Sequence, residues 1–294
     1  MGTLVGVDIE KINKRVVWGY VHSAATMLAL LIVVGIIGVI FMRFGGARVF
    51  MAILEATIVA SVAISLFSEL IVTTVFAGVI PDPKKYPVFI DAAEELAREL
   101  KMRTPRLYIL RMGVPNAAAF GLGFFGQYAV GITPELYELL TPERLKGVIA
   151  HEFAHIRSRD LMLMMVVSIV TGFARKLASL LLNGKTLLGG SPFAQVFGYI
   201  VRAFAELVKI LQSILSQERE FQADALGAKY LGTVDPLAEA LIQLADSRPK
   251  VEDGNEEKAT ILDGLVISHP KMEDRLEALD DLRLQRTQPQ PAAS

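Results

Sequence analysis

From Val16 to Met42 the chain runs without a single charged side chain and is dominated by Val, Ile, Leu, Ala and Gly. About 20 apolar residues are enough to cross a hydrocarbon core, so this stretch constrains the fold more than any other. A cleavable signal would have an apolar region of roughly 7 to 15 residues followed by a small-residue cleavage site, and the run is too long for that. It reads as a retained transmembrane helix. Arg43, Gly45, Gly46 and Arg48 predict a tight turn, after which a second apolar run extends from Val49 to Ile80, broken only by Glu55 and Glu69. As one helix it would reach roughly 48 Å, beyond the roughly 30 Å apolar core, which places Glu69 near or past the boundary.

Charge confirms a blockwise organisation. Only four of the 61 charged residues fall between 16 and 80 and six between 161 and 215, whereas 81–160 and 216–294 carry ordinary soluble densities. With 52% apolar residues the chain is not disordered, and a purely water-soluble globule is disfavoured. A formal net charge of −1 gives no electrostatic support for nucleic-acid binding. The absence of cysteine excludes disulfides, thiol catalysis and thiolate metal sites, so any metal must be held by His, Asp or Glu. Four blocks follow: a hydrophobic helical pair at 1–80, a soluble segment at 81–160, a second hydrophobic pair at 161–215, and a second soluble segment at 216–294.

Pro81-Asp82-Pro83 ends the second hydrophobic run. Val88–Leu100 has amphipathic helical spacing, and Arg106–Leu110 and Gln127–Thr133 have the composition of strands. Gly121, Gly123 and Gly126 are turn residues and form no phosphate-binding fingerprint. Thr141-Pro142-Glu143 announces a helix with a hydroxyl cap, proline at its first position and an acid in its first turn. From Ile156 through the apolar run that begins at Leu161 no proline or glycine breaks the chain until Gly172, so one helix is expected to feed into the next. In the fourth hydrophobic run, Arg202, Glu206, Lys209, Ser213, Gln217, Glu220 and Asp224 recur at steps of three or four. They predict a long helix whose polar stripe faces inward, a route between bilayer and active site. Pro236–Leu244 and Lys271–Leu282 read as further helices, Asp253–Lys258 as a loop, and Thr287–Ser294 as a tail.

The helix announced at Thr141 carries His151-Glu152-Phe153-Ala154-His155, the H-E-x-x-H pattern of zinc proteases. Positions i and i+4 share a helical face, so His151 and His155 can present nitrogens to one ion while Glu152 takes a proton from the attacking water. A catalytic zinc takes three protein ligands and keeps one position open. Glu220 and Asp224, again i and i+4, offer a carboxylate for the metal and another for a ligand imidazole, with Glu218 as a rival and a solvated charged face as the simpler alternative. His22, early in the first span, reads as an interfacial or packing residue.

The His151–His155 helix with Asp160 after it, Arg219-Glu220-Phe221-Gln222-Ala223-Asp224 with Gly227-Ala228, Ser268-His269-Pro270, and the upstream Pro115–Phe120 and Tyr128–Thr133 segments together resemble the HtpX-like integral-membrane zinc metalloproteases. CAAX prenyl proteases share the catalytic pattern. The resemblance covers nearly the whole chain. It implies a mainly helical, membrane-embedded fold of four hydrophobic helices plus a zincin-like catalytic domain with a small sheet. It implies one zinc ion held by His151, His155 and Glu220, with Glu152 as general base and Asp224 orienting His151. It further implies His269 and Arg275 as groups stabilising the tetrahedral intermediate. Substrate contacts are expected from Asn116 and from Tyr128, Ala129, Val130 and Gly131, the latter as an edge strand pairing with an extended peptide or as an ordinary sheet strand.

Two spans return the chain to its starting side, where Lys11, Lys14, Arg15, Lys84 and Lys85 face Arg43 and Arg48 in the short loop. The positive-inside rule then places the catalytic domain in the cytoplasm of a prokaryote, at the inner membrane. The expected activity is endopeptidase cleavage of misfolded or damaged membrane proteins. A prenyl-protein protease is the alternative within the class, and a membrane scaffold with a structural zinc the alternative outside it.

Overall fold

The computed structural model describes residues 7–43, 47–66, 70, 73–74, 76–121, 128–183, 192–247 and 271–283. The expected Gly45-Gly46 turn, Glu69, His269, the loop at 253–258 and the tail at 287–294 lie outside the described residues. Four long helices account for the hydrophobic runs: α1 (Ile9–Arg43), α2 (Ala47–Leu66), and two that follow the metal motif. Between them stand α3 (Pro87–Glu99), β1 (Arg106–Ile109), β2 (Ala117–Phe120), β3 (Ala129–Ile132), α4 (Pro134–Leu139) and α5 (Pro142–Ser158). Then come α6 (Asp160–Leu182), α7 (Pro192–Leu231), α8 (Asp235–Ser247) and α9 (Met272–Asp280).

The sheet order is β1-β3-β2, with β1 parallel and β2 antiparallel to the central β3. All four residues of β3 are buried, and with α3 and α5 they enclose the main core of Phe89, Leu96, Val130, Ile132, Ile149 and Phe153. The α5 helix begins as its sequence announces: Thr141 Oγ1 accepts from the Arg144 amide, and Pro142 occupies the first turn, where its missing N–H costs nothing. A second core joins the start of α1 to α7, α8 and α9 through Val7, Ile12, Ala225, Leu237 and Leu279. A third packs α2, α6 and α7 around Phe50, Phe173 and Leu181.

Several expectations change. The second hydrophobic run does not continue as one helix to Ile80: the chain turns at 76–77, and Val79 bridges to Ile109 of β1 instead. Residues 117–120 form a strand that three consecutive alanines do not advertise, because alanine has low β propensity and the pairing comes from tertiary context. Tyr128–Thr133 is not an edge strand, since β3 is hydrogen-bonded on both sides. Nor does α5 run uninterrupted into α6: Arg159 adopts the left-handed conformation, φ 58°, and the chain turns there.

The polar stripe of α7 keeps its phase but not its expected burial. Arg202 and Glu206 are exposed, while Val201 and Ala205 take the packed face. Lower down, α5 and α9 cover the stripe, and Arg219, Glu220 and Asp224 are buried. The reason is that burial follows what lies against each turn, and a buried charge without a partner is costly. Among the described residues, no helix is long and apolar enough to cross a membrane.

Close approach of α5 and α8 depends on Gly147: a Cβ there would stand 2.7 Å from the Leu237 amide nitrogen and the Pro236 carbonyl carbon, both backbone. Gly147→Ala should therefore destabilise the protein by about 1–3 kcal/mol despite alanine's better helix propensity. Thermal unfolding in detergent checks this, and an unchanged or raised midpoint would show that the two helices can part without loss.

Candidate metal centre

One face of α5 presents His151 and His155 to the last third of α7. The helices can meet closely because α7 is small-sided there, with Ala223, Ala225, Ala228 and Gly227, whose absent side chain leaves the backbone near His151. The nitrogens His151 Nε2 and His155 Nε2 lie 3.1 Å apart. Glu220 approaches both, Oε2 at 3.5 Å from His151 Nε2 and Oε1 at 3.4 Å from His155 Nε2. Ligand atoms about 2.0–2.1 Å from a tetrahedral ion stand about 3.3 Å from one another, and each separation is close to that, the two to Glu220 running to different oxygens of its carboxylate.

The other nitrogen of each imidazole is backed by a carboxylate. His151 Nδ1 lies 2.8 Å from Asp224 Oδ1, and His155 Nδ1 lies 2.8 Å from Asp160 Oδ2. A nitrogen donating to a carboxylate carries the proton, which leaves the Nε2 lone pairs turned toward each other and toward Glu220. Three acceptors converging at this range repel unless a cation joins them.

Each carboxylate is in turn held by a buried arginine. Arg275 donates to Asp224 through Nε at 2.8 Å and through a terminal nitrogen at 2.6 Å, a bidentate fork, and its other terminal nitrogen lies 3.5 Å from Glu220 Oε2. Arg219 pairs with Asp160 and donates to the Ser158 carbonyl at 3.0 Å, Gln222 Oε1 at 2.8 Å and Ser23 Oγ at 3.2 Å. Two relays result, Arg275–Asp224–His151 and Arg219–Asp160–His155. Counted with Glu152, the buried cluster holds four carboxylates and two guanidiniums and so carries a charge of −2. A single divalent cation neutralises it.

The electrostatics of the side chains alone agree. Burial disfavours the charged form of His151, yet hydrogen bonds with Asp224 and Glu220 outweigh it and raise the pKa; His155 is raised in the same way, chiefly by Glu220. Protons would be held where a cation belongs. Burial alone would raise the Asp224 pKa, but the Arg275 charge and fork hold it down at about 2. Burial lowers that of Arg219 to about 10.

Glu152 is buried beside His151, and its charge acts on both His155 and Arg275. Arg275 is 5% exposed and committed to Asp224. Asn116 pairs through its backbone with Thr133, and its side-chain amide donates to Met112 Sδ at 3.7 Å. Tyr128, Ala129, Val130 and Gly131 belong to the central strand or its entry, and the exposed backbone edge of the sheet beside α5 is that of β2. Two residues of the site had no assigned role in the sequence reading, Asp160 and Arg219. The signal for Asp160 was available: each ligand imidazole needs a partner on its second nitrogen, and only one carboxylate had been assigned.

This fold and this buried His-His-Glu group, backed by paired carboxylates and with an acid next to the first histidine, define a metallopeptidase of the zinc class. The model of peptidase family M48 matches residues 84–283, and the chain belongs to that family. It is 31% identical to a protease HtpX homolog of Aquifex aeolicus over 74% of this chain and 78% of that protein. It is 35% identical to a protease HtpX homolog of Halobacterium salinarum over 60% and 58%. The crystal structure of S. mikatae Ste24p superimposes with a TM-score of 0.54 at 20% identity, covering 91% of this chain and 66% of that one, a likeness of fold.

Asp160→Asn should weaken metal binding about 10-fold or more while leaving the protein folded, since it replaces the charged acceptor behind His155 with a neutral, weaker one. Competition with a chelator of known affinity measures the change. Wild-type affinity in the variant would show that His155 needs no such support.

Proposed function

We propose that the chain is a membrane-bound zinc endopeptidase that cleaves misfolded or damaged membrane proteins, using His151, His155 and Glu220 as ligands and Glu152 as general base. The observation that carries the ligand set is the convergence of the two Nε2 atoms, 3.1 Å apart, with the Glu220 carboxylate, whose oxygens lie 3.4 and 3.5 Å from them. Asp224 and Asp160 are occupied by arginines and histidines, so three protein ligands remain, the number that leaves a position open for chemistry; a structural zinc normally has four. That favours the enzyme over a scaffold.

When bound, the ion supplies Lewis-acid polarisation of the scissile carbonyl and lowers the pKa of water. Glu152 accepts the proton of the attacking water and passes it to the departing amine. Asp224 and Asp160 hold both imidazoles in the tautomer that leaves Nε2 free. The fixed charge of Arg275, 3.5 Å from Glu220, limits the negative charge that the ligand set places on the reacting carbonyl. The free edge of β2, alongside α5, can take an extended peptide as a further antiparallel strand, the role expected of Tyr128–Thr133.

Membrane attachment is supported by large apolar side chains that remain exposed in helical register: Leu28, Ile32, Ile36 and Val39 on α1, and Val196, Ile200, Leu207, Ile210 and Ile214 on α7. Trp18 and Tyr20 on α1 and Tyr199 on α7 are exposed aromatic residues of the kind that settle at membrane interfaces. Flanking lysines and arginines favour the cytoplasmic face of a prokaryotic inner membrane for the catalytic part.

Purified in detergent with zinc, Glu152→Gln should lose at least about a hundredfold in cleavage of an unfolded membrane protein while keeping its metal. Glu220→Ala should lose the metal itself, read by elemental analysis. Equal, chelator-insensitive cleavage by wild type and Glu152→Gln would refute the mechanism, and full zinc occupancy in Glu220→Ala would refute the third ligand. Preference for a prenylated C-terminal peptide over the unfolded protein would replace the proposed substrate class.

A further inference from the structure

A cavity of about 510 Å³, none of whose lining residues belongs to the His-His-Glu group, opens between α1, the end of α3, α5 and the end of α7. Its lining has an unusual composition. Lys101, Arg157 and Lys229 converge on it with a single acid, Glu99, and the rest of the wall is Tyr20, Tyr230, Leu100 and Leu226. The cations are committed to neutral groups only: Arg157 donates to the Leu100 carbonyl at 3.3 Å and Lys229 to Asn13 Oδ1 at 2.8 Å, and among the described residues no ion pair engages any of the three. Its charged lining residues therefore sum to +2, and no ion pair among the described residues answers the three cations.

Lys101 reaches it from a residue with φ 52°, just past the end of α3, where the Met102 amide closes onto the Ala97 carbonyl at 3.0 Å. Glycine is the residue that such a helix end favours, and a side chain there costs about 1 kcal/mol. Here the chain carries a lysine, and the turn sends it to the cavity. The position along α1 is equally informative. Tyr20 lies beside the exposed Val17, Trp18 and Val21, where α1 leaves the catalytic part and its exposed apolar register begins. Cations and tyrosines below an apolar strip match the layering of a glycerophospholipid, with phosphate in the headgroup zone and acyl chains along the helix.

We infer that this cavity binds the phosphate headgroup of an anionic glycerophospholipid, with Lys101, Arg157 and Lys229 as phosphate ligands and Tyr20 and Tyr230 flanking the glycerol. The inference rests on the membrane attachment proposed above, and the experiment separates the two. Native mass spectrometry of the full chain in neutral detergent is run with three probes: short-chain phosphatidylglycerol, phosphatidylcholine of the same chain length, and glycerol 3-phosphate. Phosphatidylglycerol should bind saturably as one molecule per chain, at least about tenfold more tightly than either other probe. The triple variant Lys101→Gln, Arg157→Gln, Lys229→Gln should lose that preference at an unchanged unfolding midpoint. Equal binding of phosphatidylglycerol by wild type and variant, or of the two lipids by wild type, would overturn the inference. Glycerol 3-phosphate binding as tightly as the lipid would assign the site to a soluble phosphate and overturn the lipid. Flotation with neutral phosphatidylcholine vesicles tests attachment alone: both proteins should float, and failure of both would overturn the membrane reading whatever the detergent result.

Discussion

Everything in the catalytic part depends on neutralising a buried charge of −2. Four carboxylates and two arginines are placed where water cannot screen them, and such an arrangement is stable only when each group has a partner. Asp224 and Asp160 have theirs in Arg275 and Arg219. Glu220 has an Arg275 terminal nitrogen at 3.5 Å, and a cation shared with the two Nε2 atoms would complete the balance. The metal is thus the missing counter-charge of the core, and its binding free energy is also folding free energy for the segments that supply its ligands.

The relays distribute that dependence over the chain. Arg275 comes from α9, Asp224 and Glu220 from α7, His151 from α5, so one end of the site ties together elements 124 positions apart in sequence. Arg219 and Asp160 do the same at the other end, and Arg219 also reaches Ser23 on α1 while its neighbour Gln222 donates to the Val16 carbonyl. The first hydrophobic helix is consequently part of the metal site's support. A displacement of α1 against α7 would be felt by Asp160 before it reached His155.

Much of this was legible in the sequence, for physical reasons that differ by element. His151, Glu152 and His155 are local: i and i+4 on one helix need no tertiary information. The helix start at Thr141 is equally local, set by a hydroxyl cap and the proline after it. Glu220 and Asp224 were readable as a pair from their spacing, though Glu218 stood beside them until the fold turned it away. What periodicity could not show was which part of a stripe would be covered. Arg202 and Glu220 are 18 residues apart, about five turns at 100° per residue, and so share one angular position on α7, yet one is exposed and the other buried. Strand β2 escaped for the opposite reason: Ala117, Ala118 and Ala119 have little strand character, and only pairing with β3 makes them extended.

The break at Arg159 was the least visible feature and has the largest geometric effect. In a continuous helix Asp160 would follow His155 by five residues, a rotation of about 140°, and its carboxylate would point away from the imidazole. One left-handed residue, at a cost of roughly 1–2 kcal/mol for a side chain larger than glycine, ends α5 at Ser158 and restarts the chain as α6 with Asp160 folded back to 2.8 Å from His155 Nδ1. The same turn leaves the Ser158 carbonyl without a helical partner, and Arg219 donates to it at 3.0 Å while pairing with Asp160. The orphan carbonyl and the second carboxylate are thus satisfied by one guanidinium, adjacent in sequence to Glu220. The chain changes direction between its catalytic and hydrophobic halves at the point where the site needs its second proton acceptor, so the turn that sets the course of α6 also sets the tautomer of His155.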